Sequence, residues 1–332
     1  MPDTYEILAV ENPELWNEFV KGAIGGSIFS TRTWLDCARE ATGGQVHCYG
    51  CYKNGHLLAG ISGLAQRRKG LTHLTTPVLT PHGGLLCSPL PSKGPAKLEA
   101  EWNRATGLLV EHLHKKFDYI QLSHTPIVKD VRQFTWADWE ARVRYTYQMD
   151  LSDLEALWER VERRTRTVIR KAEKNGFQVH ATDDVELFRH QYELIYARQN
   201  TQLPVDGVRV QDFVERTLQA NLAHALLVEA PDGAVAAMVV FARGFDTVYA
   251  WQAGADPAFS NTGALSLLYW KLFEQTPYKK FDFVGANIPA IAFFKRGFGG
   301  DLIPYFVTEG YKSSLVKTAM AGGKALKQLL GA

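Results

Sequence analysis

The sequence predicts a mixed α/β protein in which one folding unit occurs twice. Three observations carry that expectation. KKFDYI at residues 115–120 recurs as KKFDFV at 279–284, each time after a helix-like run. Upstream of each copy stands a hairpin signal, with alternating apolar runs flanking Asn54-Gly55 in residues 47–65 and Asp232-Gly233 in residues 224–242. Asn-Gly and Asp-Gly supply the positive φ that tight hairpin turns demand. A single hairpin recurs easily by chance, but hairpin, helix and Lys-Lys-Phe-Asp strand in one order twice imply duplication. The expected division is 1–145 and 146–315, followed by a terminal helix at 316–332.

At 332 residues the chain is long enough for two domains with ordinary cores. Its 46% hydrophobic and 22% charged residues are those of a soluble globular protein. A net charge of +2 gives no strong overall field, so a polyanionic partner must be met by a local patch. The N-terminus lacks a basic segment followed by an apolar run, and no apolar stretch reaches membrane-span length, so a cytoplasmic location is expected. The cysteines Cys37, Cys48, Cys51 and Cys87 follow no framework spacing. Cys48 and Cys51 stand three apart on an expected strand, point to opposite faces and cannot chelate one metal together. Buried, reduced thiols are expected, and no metal site.

In order, a strand at 5–10 and a helix at 13–20 open the chain. A second helix runs through IFSTRTWLDCARE with Ser30 or Thr31 as its cap. After the first hairpin comes the proline- and glycine-punctuated TTPVLTPHGG, then a helix at 98–116, a strand at 117–122 and an alternating strand at 144–151. The second half begins with a helix at 154–175, whose apolar positions Leu154, Leu157, Trp158, Val161, Val168 and Ala172 follow helical spacing. A strand FQVHA, helices at 185–201 and from 210, the second hairpin, the strand TVYAWQAGA and a helix at 263–275 lead to the strand at 281–284.

Chemistry concentrates after that strand, in GANIPAIAFFKRGFGG. Lys295 and Arg296 lie among Phe293, Phe294 and Phe298, a setting in which a cation can meet negative charge developing away from bulk water. The same pair also suits a helix C-terminus before a Gly297 cap. The first copy, QLSHTPIVKDVRQF, lacks both the pair and the glycine turn, so the architecture alone does not demand them. Asn287 stands at the strand exit, where ligands commonly sit in α/β sheets, and can orient a substrate amide or make an ordinary turn. Tyr249 and Trp251 on the neighbouring strand can line the same cleft or the core. Arg160, Arg163, Arg166, Arg170 and Lys174 form a helical stripe that suits phosphates, although Glu159 and Glu162 pair with Arg163 and Arg166 at i,i+4 as on a solvated face. Lysines 312, 317, 324 and 327 alternate with apolar residues in a tail of the kind that rests on anionic membrane or docks on its own domain. No nucleophile elbow, zinc motif or triad spacing of histidines is present.

RTRTVIRKAEKNGFQV resembles the arginine-rich helix opening the second domain of Fem-type peptidyltransferases. FDFVGANIPAIAFFKRGFGGDLIPY resembles their C-terminal signature, shared with proteins described as having a GNAT-like acyltransferase domain, and TTPVLTPHGG resembles their first-domain loop. The resemblance covers nearly the whole chain and implies tandem, duplicated GNAT-like domains, the first degenerate. It implies transfer of an aminoacyl or acyl group from aminoacyl-tRNA or acyl-CoA, with no tightly bound cofactor, to an amine of a peptidoglycan or other envelope precursor. Lys295 then matches the lysine that assists transfer, with Phe294 before it, and Arg163, Arg166 and Arg170 match phosphate contacts. Arg209 and Phe213 match an arginine and a tyrosine that contact the acceptor, phenylalanine replacing the tyrosine. Ala38 stands where a phosphate-binding lysine is expected, with Arg39 next to it. The coenzyme-A phosphate loop would need a basic or amide residue at Ser260 and a small one at Leu265. The alternatives are a coenzyme-A-dependent acetyltransferase of a sugar amine or exopolysaccharide precursor, and a non-catalytic module of the same fold. tRNA and a membrane surface touched by the terminal helix are the further expected partners.

Overall fold

The computed structural model describes residues 3–90, 94–198, 202–203 and 205–329. The chain forms two compact units, residues 1–144 with 304–332, and residues 145–303.

The first unit opens with strand β1 (Tyr5–Ala9) and helix α1 (Pro13–Gly22), whose cap Asn12 accepts the N–H groups of Glu14 and Leu15. Helix α2 (Arg32–Thr42) has Thr31, one of the two expected caps, as its N-cap: Thr31 is extended and its hydroxyl accepts Trp34 N–H at 3.2 Å, while Ile28–Ser30 form a separate 3-10 turn before it. Strands β2 (Gln45–Lys53) and β3 (His56–Arg68) form the Asn54-Gly55 hairpin, both turn residues having positive φ. Then come β4 (Leu71–Thr75), β5 (Gly84–Cys87), α3 (Pro95–Lys116), β6 (Tyr119–Ser123), α4 (Arg132–Thr135) and β7 (Glu140–Asp150). Leu109, Val110 and Leu113 of α3 are buried with Ile61, Leu74 and Ile120 of the sheet. Cys48 and Cys51 fall in different apolar clusters, and burial pushes their thiols up to about 12 and about 11, which leaves them inert.

In the second unit α5 (Leu154–Arg160) and α6 (Arg163–Lys174) replace the single helix expected at 154–175. Val161 and Glu162 are extended, and Glu162 N–H donates to Gly297 O at 2.9 Å rather than to the carbonyl of Trp158. The break divides the arginine stripe, leaving Arg160 on α5. There follow β8 (Gln178–Thr182), α7 (Val185–Arg198), α8 (Gly207–Gln219), β9 (Ala223–Glu229), β10 (Val235–Arg243), β11 (Thr247–Ala255), α9 (Ala264–Gln275), β12 (Lys280–Asp282) and α10 (Pro289–Arg296). Strand β13 (Asp301–Tyr311) and helix α11 (Ser314–Leu329) end the chain.

The duplication is visible element by element. β2, β3, β4, α3 and β6 of the first unit match β9, β10, β11, α9 and β12 of the second. Each set contains one parallel pair, β4 with β6 and β11 with β12, joined through a helix. The strand beyond each pair comes from the other half of the sequence: Val307–Tyr311 of β13 lie on β6, and residues 148–150 of β7 lie on β12. Residues 304–315 therefore belong with the first unit rather than with the expected second domain, because the 307–311 backbone finds its partners on β6. Lys317 of α11 pairs with Glu140 at 2.8 Å. Of the expected basic tail, the side chains of Lys324, Leu326, Lys327, Leu329 and Leu330 lie outside the described residues. Among the described residues no helix is long and apolar enough to cross a membrane, and no group of three or more His, Cys, Asp or Glu could hold a metal ion.

Candidate active site

Strands β11 and β12 run parallel for three residues, Thr247 with Lys280, Val248 with Phe281 and Tyr249 with Asp282, and then part. β12 ends there, whereas β11 continues to Ala255 on β10 alone. The β10 register slips between Val240, opposite Gln252, and Phe241, opposite Ala250, so Trp251 is the surplus residue of a β-bulge. Among the described residues, no strand pairs with β11 beyond Tyr249 on its β12 side. The result is an open wedge at the carboxyl end of a parallel strand pair, a place where α/β sheets commonly meet ligands.

The exit of β12 is held by two buried polar devices. Asp282, fully buried, accepts the Thr146 hydroxyl at 2.5 Å, the Gln148 amide at 2.8 Å and Val284 N–H at 2.7 Å. Val284 and Gly285 then both take positive φ, +54° and +82°. For a β-branched valine that is strained backbone. The turn draws three carbonyls around Lys295 Nζ: Phe283 O at 2.6 Å, Val284 O at 3.2 Å and Gly285 O at 2.7 Å. An ammonium has three donors, and all three are committed. Burial lowers the Lys295 pKa to about 8, opposed by the charge of Asp282. The carbonyls, which favour the charged form, oppose the fall as well. Phe294 packs on Tyr269 and Phe298 at 6.0 and 5.4 Å, anchoring the helix that carries the lysine.

Several expected site residues take other roles. Asn287 does not face a ligand, because its Oδ1 accepts Tyr145 N–H at 2.9 Å and its Nδ2 donates to Tyr145 O at 3.2 Å, as a neighbouring strand would. Phe213 and Trp251 are buried against each other at 5.0 Å; a tyrosine hydroxyl at 213 would itself need a buried partner. Tyr249 lies beside Asp282, and burial and that charge together raise its pKa. Arg209 is exposed on the first turn of α8. Arg166 donates to Trp158 O and pairs with Glu159, and Arg170 lies over the Trp158 ring at 5.4 Å, so these two arginines of α6 tie it to α5. Arg163, at the start of α6, is exposed. Arg296 pairs with Glu162 at 3.0 Å. Gly297, with φ −57°, is not a left-handed cap; a Cβ there would lie 2.4 Å from Thr165 Oγ1, so the glycine lets α6 approach.

Sequence reasoning missed Asp282 and the bulge. An acidic residue between Phe281 and Phe283 on an apolar strand was a readable sign of the first. The bulge left none, because it is a mismatch between two strands and not a residue type.

The geometry is that of a parallel strand pair that parts beside a part-buried lysine. Residues 159–296 match the acetyltransferase (GNAT) domain family. That stretch lies wholly within the second unit and includes the wedge and α10. The chain is similar in structure to FemX, with TM-score 0.71 and 12% identity over 98% of this chain and 100% of that one. It is also similar to a tandem GNAT protein from the clavulanic acid biosynthesis pathway, with TM-score 0.51 and 12% identity over 93% and 99%. L-PGS from Bacillus licheniformis is a third, with TM-score 0.50 and 9% identity over 90% and 97%. At these identities the likeness is one of fold. No curated protein matches the chain in sequence. The fold is a tandem GNAT-like one, and its second unit contains the stretch that matches the acetyltransferase (GNAT) domain model.

Proposed function

We propose that the chain is an N-acyltransferase that moves an aminoacyl or acyl group from an activated donor to an amine of a cell-envelope precursor on the cytoplasmic side. The parting of β11 from β12 at a bulge carries this reading. An extended donor can lie along the open edge of β11 and pair with its backbone. Its carbonyl then meets main-chain amides near Trp251, which serve as oxyanion donors fixed in advance. The acceptor amine attacks the carbonyl carbon and a C–N bond forms. The bond from carbon to the leaving oxygen or sulfur breaks, and the leaving atom takes the proton that the amine gives up. Lys295 acts from behind the wedge, holding the strained exit of β12 and contributing positive charge near the developing oxyanion. Exposed Arg163 and Arg209 are the candidates for phosphates of donor or acceptor.

Aminoacyl-tRNA is favoured over acyl-CoA as donor. Gly263, the glycine that opens α9, has φ +87°, and a Cβ there would meet Val168 O at 2.3 Å, so packing of α6 accounts for it without a phosphate loop. The test is a melting-temperature screen against acetyl-CoA, free coenzyme A, a UDP-linked muropeptide and charged tRNA, because a ligand of the folded state raises its stability by mass action. A shift with charged tRNA or the muropeptide supports the reading. A shift with coenzyme A alone makes the chain an acetyltransferase. Binding without turnover by the wild type makes it a recognition module.

A further inference from the structure

Strand β8 (Gln178–Thr182) is the outermost strand of the second unit. It pairs with β9 in unbroken register, from Gln178 opposite Glu229 to Thr182 opposite Ala225, and no other strand among the described residues meets it. Val179 is half-buried and packs with Phe177 on the core of the unit, while Gln178, His180 and Ala181 are exposed. Such an edge presents a row of unpaired main-chain N–H and C=O groups, which sheets ordinarily blunt with lysine, proline, a bulge or an acidic side chain. β8 has none of these. The outer strand of the first unit, β1, differs in carrying the exposed charge of Glu6.

The two ends of β8 are oppositely charged. Lys171 and Lys174 stand before it in the last turn of α6, and Asp183, Asp184 and Glu186 stand after it. These side chains are exposed, and none of them is in an ion pair among the described residues. Glu173, between the lysines, is already paired with Lys271 at 2.9 Å. A strand that is basic at its start and acidic at its end opposes like charges when it meets a parallel copy of itself. In antiparallel pairing it opposes unlike ones, because the start of one strand lies against the end of the other.

We propose that β8 is a homodimer interface, in which two copies pair their β8 strands antiparallel about a two-fold axis. Side chains directly opposite each other share a face of the sheet, so the axis passes through a residue and not between two. Centred on His180, the pairing engages the whole strand, with Gln178 opposite Thr182 and Val179 opposite Ala181 of the second copy. Lys174 of each copy is then brought to the 183–186 end of the other, and the charge contact is made twice, as a two-fold requires. A copy of this chain supplies both charged ends in matching places, which favours it over a foreign strand. In the second unit β8 is three strands from β11, and the wedge opens on the far side of β11, so dimerisation leaves it clear. The inference does not depend on the acyl-transfer reading. One short strand is a small contact, so the dimer is expected at high protein concentration.

The experiment is sedimentation velocity of the full chain over a concentration series that reaches the submillimolar range. The wild type is compared with His180→Lys, Lys174→Glu and Lys174→Glu/Glu186→Lys. The substituted side chains are exposed, so melting temperatures should stay close to wild type. The wild type should dimerise, and His180→Lys, which sets two lysines face to face, should weaken the dimer by about tenfold or more. Lys174→Glu should weaken it less, and adding Glu186→Lys should recover most of that loss. Cysteine substitution then reads the register. The native cysteines are buried, so an introduced thiol at an exposed position is the one that reacts. His180→Cys places two Cβ atoms about 5 Å apart across the axis, within reach of a disulfide under mild oxidation. Gln178→Cys leaves them about 13 Å apart along the strands. A wild type that stays monomeric throughout overturns the proposal. So does a dimer untouched by His180→Lys or by Lys174→Glu, or one that the charge exchange fails to restore. Equal disulfide formation by the two cysteine variants, the mark of random collision, overturns it as well.

Discussion

The two units solve the same strand pairing in opposite ways. In the second, β11 stays on β10 throughout and one surplus residue, Trp251, marks where β12 leaves it. In the first, the strand that corresponds to β11 is cut in two. β4 pairs with Leu64–Arg68, residues 76–83 loop out, and β5 resumes on Ala59–Ser62. The loop sews the gap shut. Thr76 N–H donates to Gln121 O at 2.9 Å, Ser123 N–H to Thr76 Oγ1 at 2.9 Å, Gly83 N–H to Ser123 O at 2.7 Å and the Ser123 hydroxyl to Pro81 O at 2.7 Å. His124, at the end of β6, completes the seam. Its Nδ1 accepts Leu85 N–H at 3.2 Å and Nε2 meets the Thr308 hydroxyl at 2.9 Å. Burial pushes its pKa down to about 3, so the ring is neutral and Nε2 carries the proton. One copy uses its polar groups to close the sheet, and the other, among the described residues, leaves β11 unpaired on its β12 side beyond Tyr249, beside a part-buried lysine. An eight-residue insertion has removed in one unit what a one-residue bulge creates in the other.

The largest test of that contrast is Lys295→Met. It removes the charge that gathers three carbonyls, and turnover with whichever donor the melting screen identifies should fall by about 100-fold or more, the scale of losing one fixed electrostatic group. Lys295→Arg should restore little, because a planar fork cannot place three donors where a compact ammonium does. Turnover within twofold of wild type in both variants would show that the cage is scaffolding for the fold alone.

His124→Ala makes the reciprocal cut in the first unit. Removing a fully buried ring with two hydrogen bonds should cost about 3 kcal/mol of stability. The ligand-induced rise in melting temperature should survive, measured against the variant's own baseline. Loss of that rise, with the folded state intact, would mean that the sewn copy takes part in binding.

Asp282→Asn tests the coupling within the open copy. The neutral amide keeps the shape but loses acceptor capacity for three donors, at a cost of about 1–3 kcal/mol. It also removes the charge that holds the Lys295 pKa up, so titration of that lysine should move to lower pH. The sign for the wild type follows from the same shift. Lys295 is lowered to about 8 in the folded chain and stands near its ordinary value when unfolded, so between the two pKa values the unfolded chain binds more protons. Stability should therefore rise from pH 8 toward 10.5 relative to Lys295→Met, by no more than about 3 kcal/mol. Urea melts of both proteins across that range check it, and parallel curves would show that the lysine titrates as if exposed.

The contrast was partly legible in the sequence and partly not. Both hairpins, the recurring Lys-Lys-Phe-Asp strands and the absence of a basic pair in the first copy could be read from residue types, because turn glycines and alternation act locally. Lys295 could be singled out by its setting, but its partners could not, since they are main-chain carbonyls of residues ten to twelve positions earlier, gathered by a left-handed valine. The break at Val161–Glu162 was hidden because Gly297, far along the chain, supplies the acceptor that draws Glu162 out of the helix. The exchange of β7 and β13 was equally hidden, since alternation identifies a strand but not its neighbour.

The smallest effect belongs to the residue whose expected role changed most. Asn287 exchanges two hydrogen bonds with the exposed backbone of Tyr145, so water can replace the lost partner in Asn287→Ala and the cost should be only about 0.5–1 kcal/mol. A side chain that pins the exit of β12 to a neighbouring strand acts on the geometry of the wedge, not on the substrate. KM should stay within twofold, kcat should fall only a few fold, and Asn287→Asp should recover part of it by keeping the acceptor for Tyr145 N–H. If instead KM rises tenfold while stability is unchanged, the asparagine contacts substrate after all, and the open copy binds with its side chains as well as with its main chain.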